Sequence, residues 1–266
     1  MDVPAELLSM LSGEQGPTKQ KASRLVIDLA VTAGATQFVR AEHAHVSGVS
    51  VITGGHGLRR FLSDLSGDPQ GRVSIPTTLN SAGCDHDKME EMGIDHPDFL
   101  EQQFEIVQSY SELGIEATLS CTPYDRGIES EEGIGSWAES NAVCFSNSYT
   151  SLVTNRESGL SALATAITGW APLWGLHIDE NRIPNILVNV ECEMDDPTDW
   201  SILGDWIGKN LKPEWELPWG PMPRITGLPS ATFEMRKALT ASAANYGCPM
   251  LWADGLTGDA PEVTSY

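Results

Sequence analysis

Residues 97–124 read Pro97-Asp98-Phe99-Leu100-Glu101-Gln102-Gln103-Phe104-Glu105-Ile106-Val107-Gln108-Ser109-Tyr110-Ser111-Glu112-Leu113-Gly114-Ile115-Glu116-Ala117-Thr118-Leu119-Ser120-Cys121-Thr122-Pro123-Tyr124, and this stretch decides the fold. Leu100, Phe104, Val107 and Tyr110 recur at helical spacing. Pro97 sits near the first turn, where its missing N–H costs nothing, and Gly114 closes the helix. Ile115 to Leu119 then read as a strand, with Ser120 to Tyr124 as the polar loop beyond it. Helix, strand, polar loop is the repeating unit of the chain.

The unit recurs on both sides. Upstream, Ala22, Leu25, Val26, Leu29 and Ala33 mark a helix over 18–33 that Gly34 ends. Gln37-Phe38-Val39-Arg40 reads as a strand and 43–50 as its loop. Leu58, Phe61, Leu62 and Leu65 mark the next helix, and Arg72-Val73-Ser74-Ile75 the next strand. Pro76 stops that strand before the loop Thr77-Thr78-Leu79-Asn80-Ser81. Downstream, Ala142-Val143-Cys144-Phe145 reads as a fourth strand ending in Ser146-Asn147-Ser148, followed by a helix over 158–168. A strand near 186–190, a helix start at Asp195-Asp196-Pro197, a stretch over 201–230 rich in proline and glycine, a helix around 233–246 and a strand at 249–252 complete the pattern.

Such alternation predicts an α/β fold, a mostly parallel sheet flanked by helices. Residues 1–190 are expected to form one α/β domain and 191–266 the start of a second, incomplete one. In parallel sheets, ligands gather outside the carboxyl ends of the strands. Four successive strand ends here carry Ser, Thr, Asn and Gly, whose hydroxyls and backbone N–H groups can hold an oxyanion or phosphate.

With 266 residues and 41% apolar content, the chain can bury a sizeable core. A net charge of −21 repels phosphate backbones and argues against nucleic acid as a partner; an acidic proteome explains it without a specific cationic one. No apolar run approaches a membrane span, and Met1-Asp2-Val3-Pro4-Ala5-Glu6 lacks the basic start of a secretory signal, so a cytoplasmic protein without a membrane partner is expected. The five cysteines are odd in number and lack CxxC pairs, which argues against a disulfide framework and a zinc ribbon.

Individual constellations leave alternatives open. His43 and His45 form an H-x-H pair able to chelate from one face of a strand, but no third ligand is evident and core histidines are the plainer reading. Gly54-Gly55-His56-Gly57 resembles a phosphate-cradling turn without the Walker lysine. Asp179 and Glu180, following His177, read as a solvated surface. Cys121 directly follows a strand between two hydroxyls and a proline, where a thiolate can serve as a nucleophile or an iron ligand. On its own it fits an inert buried thiol better. A hydrolase built on Cys121 needs a histidine such as His45 or His177.

Several strings together carry more. They are Met10-Leu11-Ser12-Gly13-Glu14-Gln15-Gly16, His45-Val46-Ser47-Gly48-Val49-Ser50, Pro76-Thr77-Thr78-Leu79-Asn80, Cys121-Thr122-Pro123-Tyr124, Trp137-Ala138-Glu139-Ser140-Asn141-Ala142-Val143 and Thr154-Asn155-Arg156. In order and spacing they resemble the large subunit of aconitase X, a family of archaeal phosphomevalonate dehydratases and bacterial cis-3-hydroxy-L-proline dehydratases. The resemblance implies an aconitase-like fold and a hydro-lyase that removes water from a hydroxy acid with an iron–sulfur cluster, 4Fe-4S, or 3Fe-4S when the labile iron is lost. Three cysteines hold that cluster, and Cys121 matches one of them; the other two are expected beyond Tyr266. Gly48, Val49, Ser50, Asn80 and Ser81 match the substrate contacts. A separate small-subunit chain with the swivelling domain and a base serine is the implied partner. The absence of a fused small domain points to (R)-5-phosphomevalonate as substrate, dehydrated to trans-anhydromevalonate 5-phosphate in the mevalonate pathway. The alternatives are cis-3-hydroxy-L-proline dehydration and a truncated, non-catalytic binding or assembly module. Trp170 follows Gly169 where the family carries a basic residue, which leaves the substrate open.

Overall fold

A computed structural model of the chain describes every residue except 86, 90, 94–96, 127–131, 212–218 and 264–266. The elements run α1 (Ala5–Leu11), α2 (Pro17–Ala33), β1 (Phe38–Arg40), β2 (His43–Val46), α3 (Val51–Ser66), β3 (Thr77–Leu79), α4 (Pro97–Glu112), β4 (Glu132–Trp137) and α5 (Ser140–Tyr149). Then follow β5 (Ser151–Arg156), α6 (Gly159–Thr168), β6 (Trp170–Pro172), β7 (Ile186–Asn189), α7 (Pro197–Asn210), β8 (Pro223–Thr226), α8 (Phe233–Ala244) and β9 (Trp252–Ala253). The α/β class is borne out, and the chain divides into two compact units.

The first unit comprises Met1–Pro123, Ser136–Ala138 and Glu157–Leu173. Its central pairing is parallel, β2 beside β3 with Ala44↔Thr77, His45↔Thr78 and Val46↔Leu79 in register. Val46, Leu79, Ile106, Tyr110, Leu163 and Val26 meet in one core, so α2, α4 and α6 each give it an apolar face. Local signals start and stop these helices. Pro17 opens α2 and Gly34, left-handed at φ 69°, ends it. Ser158 and Ser161 cap α6 reciprocally.

The second unit comprises Tyr124–Gly135, Glu139–Arg156 and Trp174–Tyr266. It holds the parallel sheet β7-β8-β9, with Val188↔Ile225 and Ile225↔Ala253 in register. Trp200, Ile207, Leu239 and Ala243 from α7 and α8 share one core with Val188 and Ile225. Asp196 caps α7 and Thr232 caps α8.

Several expected elements move. Residues 43–46 are not loop but the buried strand β2, because both imidazoles point into protein rather than solvent. The strand expected over 72–75 lies instead at Thr77–Leu79, just past Pro76. The strand expected over 115–119 amounts to one parallel bridge, Thr78↔Glu116. Strand 37–40 forms as β1, but pairs antiparallel with β6 in a separate two-stranded sheet. Residues 142–145 belong to helix α5, which is buried from Ala142 through Ser148; a helix without a solvent face loses its 3.6-residue alternation and looks like a strand. In α4 the buried face is Gln103, Ile106, Tyr110 and then Leu113, while Phe104 is 58% exposed. The last strand starts at Trp252 rather than 249. Much of the proline- and glycine-rich stretch, 212–218, lies outside the described residues.

Candidate functional site

The carboxyl ends of β2 and β3 open side by side into the loops 47–50 and 80–83. Gly48 adopts φ 83°, a conformation L side chains rarely take. Val49 is buried, and Ser50 caps α3 by accepting the Ile52 N–H at 3.2 Å. At the start of α6, a Cβ on Gly159 would collide with the Ser47 carbonyl, so glycine there lets the helix approach this loop. In the second loop, Asn80 donates its N–H to Val46 O at 2.9 Å, and its Oδ1 accepts the Ser81 N–H at 2.8 Å.

The segment 116–121 is drawn along β3 by hydrogen bonds. Glu116 N–H reaches Thr77 O at 2.9 Å, and Ser120 N–H reaches Leu79 O at 3.2 Å. Thr118 Oγ1 both donates to Leu79 O and accepts the Leu79 N–H, at 2.7 and 3.1 Å. Leu119 sits at φ 48°, the one positive-φ non-glycine among the described residues. That left-handed backbone costs on the order of 1–2 kcal/mol and is held by the bonds on either side of it. The turn delivers the half-buried Cys121 to Ser81, Sγ to Oγ 3.3 Å.

The structure therefore brings together Gly48, Val49, Ser50, Asn80, Ser81 and Cys121, on three loops of the first unit. The fourth polar strand end does not join them: Ser146, Asn147 and Ser148 are buried inside α5. His56 is exposed inside α3, where Gly55 breaks the helical backbone.

Sequence reading missed Gln103. It is fully buried on α4, and its Oε1 accepts the N–H groups of Val51 and Gly83 at 3.0 and 3.2 Å while its Nε2 donates to Val49 O at 2.9 Å. The signal was available: Gln103 falls at the helical spacing of Ile106, Tyr110 and Leu113.

His43 and His45 are core residues. Trp137 Nε1 donates to His43 Nδ1 at 3.0 Å, and His45 Nδ1 shares a hydrogen bond with Thr78 Oγ1 at 2.8 Å. Burial lowers the pKa of His43 to about 4; burial, with the nearby His43, lowers that of His45 to about 3. Both rings are neutral at pH 7. The thiol of Cys121 meets the Ser81 hydroxyl, and His45 in the same unit is bonded to Thr78 Oγ1, so His45 is not placed to activate it for hydrolysis. His177, in the second unit, is engaged with Gly135 O at 3.2 Å.

An iron–sulfur cluster needs several thiolates converging on one point. Among the described residues, no group of three or more His, Cys, Asp or Glu is arranged to hold a metal ion. Cys84 lies against Met89 at 3.7 Å, Cys144 and Cys248 are buried in the core of the second unit, and Cys192 is exposed. These residues by themselves do not fit a cluster.

A family model described as the first domain of aconitase X matches residues 3–180. The phosphomevalonate dehydratase large subunit of Methanothermobacter thermautotrophicus is 38% identical over 257 residues, covering 96% of this chain and 62% of that protein. The cis-3-hydroxy-L-proline dehydratase of Pseudomonas aeruginosa is 34% identical over 266 residues, covering 97% of this chain and 43% of that protein. The holo-form crystal structure of Thermococcus kodakaraensis aconitase X superposes with a TM-score of 0.85 at 34% identity, covering 100% of this chain and 65% of the other. The chain spans about half to three-fifths of the length of the phosphomevalonate dehydratase large subunits it matches. Among the described residues, no helix is long and apolar enough to cross a membrane.

Proposed function

The chain belongs to the aconitase X family, and from that premise we propose that it forms part of the large subunit of a cytoplasmic hydro-lyase that dehydrates (R)-5-phosphomevalonate to trans-anhydromevalonate 5-phosphate. The observation that carries this reading is the convergence of Ser50, Asn80, Ser81 and Cys121 at the carboxyl ends of paired parallel strands. Polar side chains and loop N–H groups there suit an anionic hydroxy acid. Most of the phosphomevalonate dehydratase large subunits that resemble the chain are 35–38% identical to it and the hydroxyproline dehydratases 32–34%, although one phosphomevalonate enzyme stands at 32%; the balance supports the phosphorylated substrate.

The role of this chain is to bind and orient. Gly48, Val49 and Ser50 contact the substrate from one loop, Asn80 and Ser81 from the other. Cys121 is one thiolate ligand of an iron–sulfur cluster of the 4Fe-4S kind, which when bound would act as a Lewis acid toward a leaving hydroxyl. The described residues place no further ligand beside Cys121, and a separate small subunit brings the base. Turnover is therefore a property of the assembled complex.

The test is to co-express the complete large subunit with its small partner, reconstitute iron and sulfide anaerobically, and follow 5-phosphomevalonate by mass spectrometry. Loss of one water from it, with no loss from cis-3-hydroxy-L-proline, is expected. Turnover of hydroxyproline alone, or of neither compound, overturns the assignment. Cys121→Ser is expected to lower bound iron at least severalfold; unchanged iron content and cluster spectrum would remove Cys121 from the ligand set.

A further inference from the structure

We propose that Gln103 is a positioning residue that fixes the spacing between the loops 48–51 and 80–83, and so the substrate geometry between them. This rests on the assignment of those loops to substrate made above. Three observations lead to it.

First, Gln103 is fully buried, and each of its three hydrogen bonds ends on backbone at the mouth of β2 or β3: Val49 O, Val51 N–H and Gly83 N–H. None ends inside a strand. Val51 is the first residue of α3, so its N–H has no partner within the helix and Gln103 supplies one.

Second, Gly83 leaves no spare room. A Cβ there would stand 2.6 Å from Ser50 Oγ and 2.7 Å from Gln103 Oε1. The two loops and the amide are thus in contact around Ser50.

Third, the chemistry is specific to a neutral amide. One oxygen accepts two N–H groups while the nitrogen donates to a carbonyl. Ionised glutamate has the same shape and keeps both acceptances, but it cannot donate to Val49 O. Leucine does none of this.

The experiment compares Gln103→Leu and Gln103→Glu with the parent. In hydrogen–deuterium exchange of this chain, the Val51 and Gly83 amides are expected to exchange at least tenfold faster in Gln103→Leu, with the α2 and α6 amides unchanged. In Gln103→Glu those two amides stay protected. In the reconstituted holoenzyme, Gln103→Leu should raise KM for 5-phosphomevalonate at least tenfold with kcat within about threefold, since a small misplacement of binding groups is costly. Gln103→Glu should fall between the two.

Unchanged exchange at Val51 and Gly83 in Gln103→Leu overturns the proposal, as does an unchanged KM. If Gln103→Leu does not fold, Gln103→Glu decides: a raised KM with intact fold and iron content supports the proposal, and a parental KM overturns it. If the parent holoenzyme does not act on 5-phosphomevalonate, the function assignment fails, while the exchange result still decides the clamp.

Discussion

Gln103 in the first unit and Asn147 in the second are both buried primary amides with backbone partners, yet they join different things. Asn147 Nδ2 donates to Thr154 O at 2.9 Å and Pro249 O at 3.0 Å, and its Oδ1 accepts the Thr154 N–H at 2.8 Å. Thr154 is in β5 and fully buried, and nearby Ser148 Oγ accepts the Leu251 N–H at 3.0 Å. These partners are buried and belong to the framework of the second unit. Gln103 holds loop backbone, and one of its partners, Gly83, is only part-buried. The same functional group therefore joins helix, strand and segment backbone at one place and two loops at the other.

The largest effect expected follows from this contrast. Asn147→Leu removes three buried hydrogen bonds, those to the N–H and carbonyl of Thr154 and to the carbonyl of Pro249, and should cost about 3–5 kcal/mol of stability. Gln103→Leu should cost less than half of that. Urea unfolding of both variants measures the difference, and equal losses would mean that Gln103 is as much a framework residue as Asn147.

Acid offers a second way to load the first unit, and it leaves Gln103 untouched. His43 and His45 have folded pKa values of about 4 and about 3, below the ordinary value of 6.5. Between pH 6.5 and about 4, the unfolded chain takes up protons that the folded chain refuses. Stability therefore falls as pH falls through that window, and the pair adds no pH dependence above it. A loss of about 2–4 kcal/mol between pH 7 and pH 5 is expected from the two rings together. Replacing His45 with glutamine should flatten the slope of melting temperature against pH over this range. An unchanged slope would show that other groups govern it.

How much of this was legible beforehand depends on where the residues lie. The helices α2 and α4 keep an exposed face, so their apolar periodicity and their stop signals at Gly34 and Gly114 could be read. α6 is buried from Ala162 to Thr168, and Leu160, Leu163, Ala164 and Ile167 at helical spacing marked it. α5 could not be read as a helix because Ala142-Val143-Cys144-Phe145 is a short unbroken apolar run and Ser146-Asn147-Ser148 after it, though polar, are buried too. β2 was hidden differently: two histidines made a buried strand look polar. Ser50, Ser81 and Cys121 were visible as polar residues after apolar segments. Their convergence was not, since it depends on Thr118 bonding both ways to Leu79 and on Leu119 accepting a left-handed backbone. Gln103 could be placed on the buried face of α4 from its spacing to Ile106 and Tyr110, but its three partners are backbone atoms, which leave no trace in side-chain patterns.

The smallest effect separates two reasons for glycine within the loop cluster. Gly83 is needed for space, since a methyl group there meets Ser50 and Gln103. Gly48 has no heavy atom within 4 Å of a built Cβ, but its φ is 83°. Gly48→Ala should therefore cost only about 1 kcal/mol of backbone strain, with no displacement of the neighbouring loop. Gly48→Asn should recover part of it, because asparagine tolerates left-handed backbone better than alanine does. Both variants should keep the Val51 and Gly83 amides as protected as in the parent, since neither touches Gln103. If Gly48→Ala instead releases those two amides, the spacing of the loops is set by the backbone turn at Gly48 and not by the buried amide on α4.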